Sequence, residues 1–176
     1  PPRADKGEQG FVDLATIARE CDVITFHTPL NREGAYRTYH LAGEEFLFSL
    51  ARTPFVINSR RGEVVDSASL LSALSAGKVK DVVIDTWENE PDINRELLSA
   101  AFLATPHIAG YSADGKANAT RMSLEALCRF FGIEVDFTIL PPEGPSDYDP
   151  TRDSDWLKAS PEKFEWFRGN YPIRRE

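Results

Sequence analysis

Five side chains in this sequence lie where loops commonly carry chemistry. Arg61 follows an apolar run and offers a planar guanidinium, which binds a carboxylate through two parallel hydrogen bonds. His107 lies between a proline and an isoleucine, and it acts as an acid–base only where a carboxylate holds its tautomer and tunes its pKa. Asp85, Glu88 and Glu90 share one loop that could supply that carboxylate. Each residue alone also has an ordinary structural interpretation, as an exposed arginine, a core histidine or a solvated acid.

The elements that must position these side chains are indicated by hydrophobic periodicity. Short apolar runs, typical of buried strands, alternate with apolar residues at helical spacing. Asp66 is a predicted N-cap, and Gly77 is the predicted stop of the same helix. The predicted strands are 23–26, 55–58, 82–85 and 102–105, and the predicted helices are 11–21, 44–50, 66–76, 94–100 and 113–131.

This alternation predicts an α/β fold, with a parallel sheet and helices on both faces. In such sheets, ligands gather where the strands end. Three loops with charged or titratable residues follow predicted strands, at 59–62, 85–91 and 105–110. Their order along the chain alone predicts a site at the carboxyl edge of the sheet.

The character of the chain changes after Gly132. Residues 140–145 are rich in proline, and residues 146–154 are acidic and predicted to form turns. The segment 164–168 carries three aromatic residues, which we expect to dock on another surface. We therefore expect a nucleotide-binding unit over 1–132, followed by a linker and C-terminal extension over 133–176.

Composition excludes several classes of protein. The chain has 176 residues, 41% of them hydrophobic, and a net charge of −8, which is globular composition and argues against nucleic-acid binding. No apolar run approaches the roughly 18 residues that span a bilayer. Cys21 and Cys128 lie far apart and form neither a metal-binding pair nor a disulfide framework, so we expect no metal and a reducing cytoplasm.

Three segments together are far more specific than any single residue. INSRRGEVVD at 57–66, DTWENEP at 85–91 and TPHIAG at 105–110 resemble three motifs of the D-2-hydroxyacid dehydrogenase family, in the same order and with compatible spacing. The resemblance implies a Rossmann-type NAD-binding domain and oxidation of a 2-hydroxy acid.

The resemblance also implies a role for each residue. Arg61 would bind the substrate carboxylate and the reacting oxygen, His107 would be the acid–base, and Glu90 would be its partner. Tyr111 would face the substrate. The residues that would line the NAD cofactor are Thr28, Ser59, Arg60, Asp85 and Gly110.

A narrower resemblance concerns one branch of the family. The segments that carry it are 1–5, 27–30, 39–41, 107–111 and 164–171. They are similar to the branch that oxidises 4-phospho-D-erythronate on the route to pyridoxal 5′-phosphate. This similarity implies a phosphorylated 2-hydroxy acid as substrate, a cytoplasmic homodimer, and a partial dimerisation region in the C-terminal extension.

The chain also departs from the family pattern. Its eleven glycines never fall at the GxGxxG spacing of the phosphate-binding loop, so we expect it to be the C-terminal part of a longer enzyme. Two alternatives stay open. One is a related dehydrogenase for an unphosphorylated acid such as glycerate or lactate, and the other is a non-catalytic NAD-sensing module of the same fold.

Overall fold

A parallel sheet organises the molecule. The computed structural model describes residues 3–134, 138–144 and 149–175. Its strands follow one another across the sheet in chain order, and every neighbouring pair is parallel. The strands are β1 (Val23–Phe26), β2 (Phe55–Asn58), β3 (Asp81–Ile84) and β4 (Leu103–Ala104).

The register of the strands aligns their ends. Phe26 pairs with Asn58, Asn58 with Ile84, and Ile84 with Ala104, so these four residues form one row across the sheet. Each of the loops predicted to carry chemistry leaves the sheet directly after this row. The predicted convergence of these loops at the carboxyl edge is therefore confirmed.

Helices connect the strands at nearly the predicted positions. The predicted N-cap at Asp66 is confirmed, because its carboxylate accepts hydrogen bonds from the amides of Ala68 and Ser69. Gly77 follows that helix with φ +69°, a conformation that glycine adopts without strain. The helices are α1 (Leu14–Glu20), α2 (Glu44–Phe48), α3 (Ser67–Ser75), α4 (Arg95–Ala100), α5 (Ala113–Phe131), α6 (Pro150–Ala159) and α7 (Phe164–Gly169).

One face of the sheet carries the hydrophobic core. Ile24, Val56 and Val82 are buried on this face and pack with apolar residues of the helices. The opposite face is covered less, since Val23 is 54% exposed and Ile57 is only partly buried. The α/β fold with a parallel sheet is as predicted, and burial is concentrated on one side of it.

The prediction of turns at 146–154 is wrong over 150–154, which belongs to α6. Asp149 accepts hydrogen bonds from the amide and hydroxyl of Thr151, and Pro150 opens the helix. Aspartate followed by proline also occurs in turns, but here the pair is an N-cap and a first helical residue. The predicted turn at 146–148 lies outside the described residues.

The helices of the C-terminal extension pack on the sheet and extend its core. Leu157 of α6 and Phe164 at the start of α7 are fully buried in the same hydrophobic cluster as the strands. The hydroxyl of Ser154 accepts a hydrogen bond from the amide of Ala104 on β4. The outer edge of the sheet, at β4, is therefore covered by the chain's own extension.

The bounds of α5 are as predicted, but several of its large apolar residues are exposed. Met122, Leu127 and Phe131 are each more than half exposed.

Among the residues that the structure describes, none of the helices has the length and apolar character of a membrane span.

Candidate active site

Three of the predicted site residues lie around one open cavity at the carboxyl edge of the sheet. Arg61 follows β2, Glu90 lies in the loop after β3, and His107 lies in the loop after β4. The cavity has a volume of about 300 Å³, and Trp87 forms part of its wall. The structure therefore brings together the arginine, the carboxylate and the histidine that the sequence placed in separate loops.

His107 and Glu90 form a hydrogen-bonded pair, as predicted. The Nδ1 atom of His107 lies 2.8 Å from Oε2 of Glu90, and Oε1 of Glu90 accepts a hydrogen bond of 2.8 Å from the amide of Trp87. An ionised carboxylate only accepts hydrogen bonds, so Nδ1 must carry the proton that it shares with Glu90. In the neutral ring this leaves a lone pair on Nε2, which the structure gives no partner among the described residues.

The surroundings raise the pKa of His107 above its ordinary value. The hydrogen bond to Glu90 is the main cause, and partial burial opposes it. The negative charges of Glu90 and Asp85 raise this pKa further, while the positive charge of Arg168 lowers it. The pKa of His107 is thus set by opposing effects. This suits an acid–base group, which accepts a proton and later releases it.

Asp85 holds the loop that carries His107. One of its carboxylate oxygens accepts hydrogen bonds of 2.7 Å from the Ile108 amide and the Thr105 hydroxyl, and the other accepts one of 3.0 Å from the Ala109 amide. Its backbone carbonyl accepts a hydrogen bond of 2.8 Å from the His107 amide. His107 has φ +55°, a left-handed conformation that costs energy for a residue with a side chain, and these bonds hold it there.

Gly62 allows the Arg61 loop to approach the Glu90 loop. A Cβ atom on Gly62 would lie 1.9 Å from the Trp87 carbonyl oxygen, so no larger residue fits without moving one loop. The side-chain amide of Asn58 donates to the Arg61 carbonyl at 3.0 Å and ties this loop to the end of β2. The Arg61 side chain itself is exposed toward the cavity.

Sequence reasoning missed the partner of Glu88. Its Oε1 atom lies 2.6 Å from Nε2 of His40, and its Oε2 accepts a hydrogen bond of 2.7 Å from the Ser67 amide. The backbone amide of His40 donates to the carbonyl of Glu63, in the Arg61 loop. Through His40, Glu88 thus links the loop after β3 to the Arg61 loop. Its carboxylate is therefore unavailable to His107. No local spacing signals this pairing, because the partners are distant in sequence.

The predicted cofactor residues all follow strands at the same edge. The hydroxyl of Thr28 is buried beyond the end of β1 and has no hydrogen-bond partner among the described residues. A buried unpaired hydroxyl is costly, so this edge suits a ligand that presents a polar group, as a nucleotide cofactor does. Ser59 and Arg60 follow β2, and Gly110 lies in a 3-10 turn after β4. Their contact with NAD, like that of Asp85, remains a prediction.

Tyr111 lies outside the cavity that Arg61 and His107 share. Its ring lies beneath the ammonium of Lys116, 4.4 Å from the ring centre. Tyr111 instead lines a second cavity of about 370 Å³, between α5 and the C-terminal segment around Ile173. The structure does not bring Tyr111 to the pair of His107 and Glu90, and its role toward substrate remains a prediction.

The residues around this cavity lie in the part of the chain that is similar to a known protein family. Residues 2–109 match the family model described as D-isomer specific 2-hydroxyacid dehydrogenase, NAD binding domain. This range contains the first two loops, all but the last residue of the third, and the residues Arg61, Glu90 and His107. The match therefore includes every residue that lines the cavity around Arg61 and His107, and more than half of the chain.

Curated relatives extend the similarity to the C-terminal extension. Erythronate-4-phosphate dehydrogenase of Bacteroides fragilis is 54% identical over 190 residues, covering 99% of this chain and 55% of that protein. The enzyme of the same name from Porphyromonas gingivalis is 42% identical over 199 residues, covering 100% of this chain and 54% of that protein. The chain thus spans about half the length of the curated relatives it matches.

Solved structures share the fold. The apo form of Rhodotorula graminis D-mandelate dehydrogenase has a TM-score of 0.60 at 25% identity, covering 75% of this chain and 39% of that one. The NAD-complexed D-isomer specific 2-hydroxyacid dehydrogenase from Lactobacillus delbrueckii ssp. bulgaricus has a TM-score of 0.58 at 25% identity, covering 74% and 43%. Together with the family match, these similarities show that the chain belongs to the D-isomer specific 2-hydroxyacid dehydrogenases and carries part of their NAD-binding, Rossmann-like domain.

Proposed function

We propose that the protein carrying this chain oxidises 4-phospho-D-erythronate at C2, with NAD as acceptor, on the route to pyridoxal 5′-phosphate. The observation that carries the proposal is the shared cavity, in which the bonded pair of His107 and Glu90 faces the same space as Arg61. The relatives named erythronate-4-phosphate dehydrogenase support the choice of substrate, because their similarity covers the cavity and the extension.

The proposal gives each side chain a task. The guanidinium of Arg61 binds the substrate carboxylate and polarises the C2 oxygen as the carbonyl forms. Neutral His107 accepts the proton of the C2 hydroxyl on Nε2, and the nearby charge of Glu90 stabilises the resulting imidazolium. When bound, NAD supplies the acceptor for the hydrogen that leaves C2 with its electron pair.

The remaining predicted residues complete the proposal. Although Tyr111 lines the second cavity, we propose that it faces the phosphorylated substrate. The residues proposed to line the cofactor are Thr28, Ser59, Arg60, Asp85 and Gly110. The unpaired hydroxyl of Thr28 supports that assignment.

We also propose that the protein works as a homodimer in the cytoplasm, with 1–132 in the nucleotide-binding domain and 133–176 in a dimerisation region. Trp156 and Trp166 of the extension are 49% and 59% exposed, which suits a surface that a second subunit covers. Replacing both by serine in the full-length protein should weaken the dimer in sedimentation. An unchanged dimer would contradict this role of the extension.

The test is turnover by the full-length protein. Formation of NADH should be fastest with 4-phospho-D-erythronate, and D-glycerate and D-lactate serve as unphosphorylated comparisons. A clear preference for an unphosphorylated acid would overturn the substrate proposal while keeping the reaction. Binding of NAD without turnover of any of the three acids would instead support the sensing module.

A further inference from the structure

Arg168 of α7 lies against the carboxylate that holds the catalytic histidine. Its Nη1 atom is 3.5 Å from Oε2 of Glu90, the same oxygen that bonds His107. Its Nη2 atom is 2.8 Å from Oε2 of Glu165, one turn earlier on α7. Glu90 is only 16% exposed, so this cation acts on a carboxylate largely screened from water.

The packing of the extension explains why an arginine reaches this position. Phe164 anchors the start of α7 in the core with no exposed surface. Beyond α7, Arg174 donates hydrogen bonds to the carbonyls of Ile108 and Ala109, and its own carbonyl accepts one of 2.7 Å from the Ala113 amide. The extension is therefore held to the His107 loop beyond α7 and to the core at its start, with Arg168 in between.

We propose that Arg168 is a positioning residue for the pair of Glu90 and His107, a role that rests on the function proposed above. Its guanidinium forms an ion pair with the Glu90 carboxylate and offsets part of its negative charge. The extension would then contribute to catalysis directly, besides any contribution to assembly.

The charges around His107 give the sign of this effect. The hydrogen bond to Glu90 raises the pKa of His107, and the charge of Arg168 acts against that increase. Without Arg168, the imidazolium would persist to higher pH, and less of the neutral base would be present near neutrality. The other charged groups facing this pair are Asp85 at the end of β3, Arg61 and Glu63 across the cavity, and Glu165 beyond Arg168.

The test follows the ring of His107 directly in the full-length protein. Histidine-labelled protein is titrated by NMR, and the His107 signals are assigned by their loss in His107→Gln. In Arg168→Gln and Arg168→Met the midpoint should rise by about half a pH unit, a modest shift because Arg168 is partly exposed. Arg168→Lys keeps the charge and should keep the midpoint near that of the wild type. Two neutral replacements are used so that poor folding of one does not end the test.

Arg121→Gln is the matched control, because it removes an arginine from an exposed ion pair on α5. The midpoint should stay in place in this variant. Equal midpoints in wild type and both neutral Arg168 variants would overturn the proposal. So would an equal shift in Arg168→Lys, because that result would mean that packing rather than charge is responsible.

In the pH profile of the oxidation rate, the acid limb should move to higher pH together with the NMR midpoint. The two readouts separate this inference from the proposed function. A shifted midpoint in a protein that oxidises none of the acids would contradict the function alone. Turnover with an unshifted midpoint would contradict only the role of Arg168.

Discussion

Three acidic residues of one loop contact three different parts of the structure. Asp85 binds backbone amides and fixes the His107 loop, Glu88 binds His40, and Glu90 binds His107. Each carboxylate has at least two hydrogen-bond partners, so its position is fixed before any ligand arrives. Pre-organised groups of this kind need little rearrangement as charge develops during a reaction. The structural role of each acidic residue therefore depends on its contacts rather than on its residue type.

Arg61→Lys should be far from conservative, because an ammonium cannot form the planar fork that binds a carboxylate. We expect kcat/KM for oxidation to fall at least about tenfold, or roughly 1.4 kcal/mol of transition-state binding. The measurement is steady-state turnover by the full-length protein. Arg52→Lys is the matched control, since Arg52 pairs with Asp22 on the surface. Near wild-type kinetics for Arg61→Lys would mean that Arg61 is only an exposed arginine at a strand end.

Glu90→Gln should shift the acid limb of the oxidation profile to lower pH. Glu90 raises the pKa of His107, chiefly through its hydrogen bond, so removing its charge lowers that pKa. Oxidation needs neutral His107, which would then persist to lower pH, although turnover should fall because the imidazolium is less stable. The measurement is kcat/KM across pH. Glu88→Gln, from the same loop, should leave the limb in place, and an unmoved limb in Glu90→Gln would contradict the paired mechanism.

His107→Gln should abolish nearly all turnover, and adding Glu90→Gln should cost little more. Residues that act as a unit lose their effect together, so the two losses should not multiply. The measurement is kcat for wild type, the two single variants and the double variant. Losses that multiply would show that Glu90 and His107 act independently.

At the scale of elements, the site depends on how closely two loops approach each other. The parallel register places the ends of β2 and β3 side by side, and Gly62 then packs directly on the backbone of Trp87. Arg61 lies next to Gly62, and the Trp87 amide holds Glu90. A displacement between these loops would therefore separate Arg61 from the pair of Glu90 and His107.

Gly62→Ala should damage both stability and activity, because the new methyl group would overlap the Trp87 carbonyl. We expect a loss of about 1–3 kcal/mol in the free energy of unfolding, as for other overpacked sites. Turnover should fall more than about tenfold, since small displacements of catalytic groups are costly. Gly169→Ala is the control, because a Cβ atom there meets nothing within 4 Å. Urea unfolding and kcat/KM check both effects, and wild-type values for Gly62→Ala would refute the close approach.

At the scale of the whole molecule, the C-terminal extension is part of the domain's core. Leu157 and Phe164 are buried with residues of the sheet, and Arg168 and Arg174 contact the residues around His107. Both the loops after the strands and the extension therefore contact residues next to His107. Folding of the sheet and docking of the extension should be coupled.

Phe164→Ala should therefore destabilise the whole domain by about 3–5 kcal/mol, as expected for a large buried side chain. The exposed Trp166→Ala should cost less than about 1 kcal/mol in the same chemical denaturation experiment. A small and equal cost for both would show that the extension docks only peripherally. Two separate unfolding transitions in the wild type would lead to the same conclusion.

The amino-acid sequence alone predicted the strands and most helices up to residue 132, and it named three residues that lie around one cavity. Hydrophobic periodicity predicted β1, β2 and α5 at their observed bounds, and Asp66 signalled the start of α3. Three motifs indicated Arg61, Glu90 and His107. These signals are readable because strand and helix periods, caps and loop motifs depend on residues close in sequence.

Only the tertiary structure decided several other contacts of the site. It paired Glu88 with His40, gave Asp85 to the backbone of the next loop, and placed Tyr111 beside a different cavity. It also folded 150–154 as helix and brought Arg168 to Glu90. These contacts join residues that are distant in sequence and depend on strand register and on the docking of the extension. No local period or cap encodes such distances, so they emerge only when the elements pack.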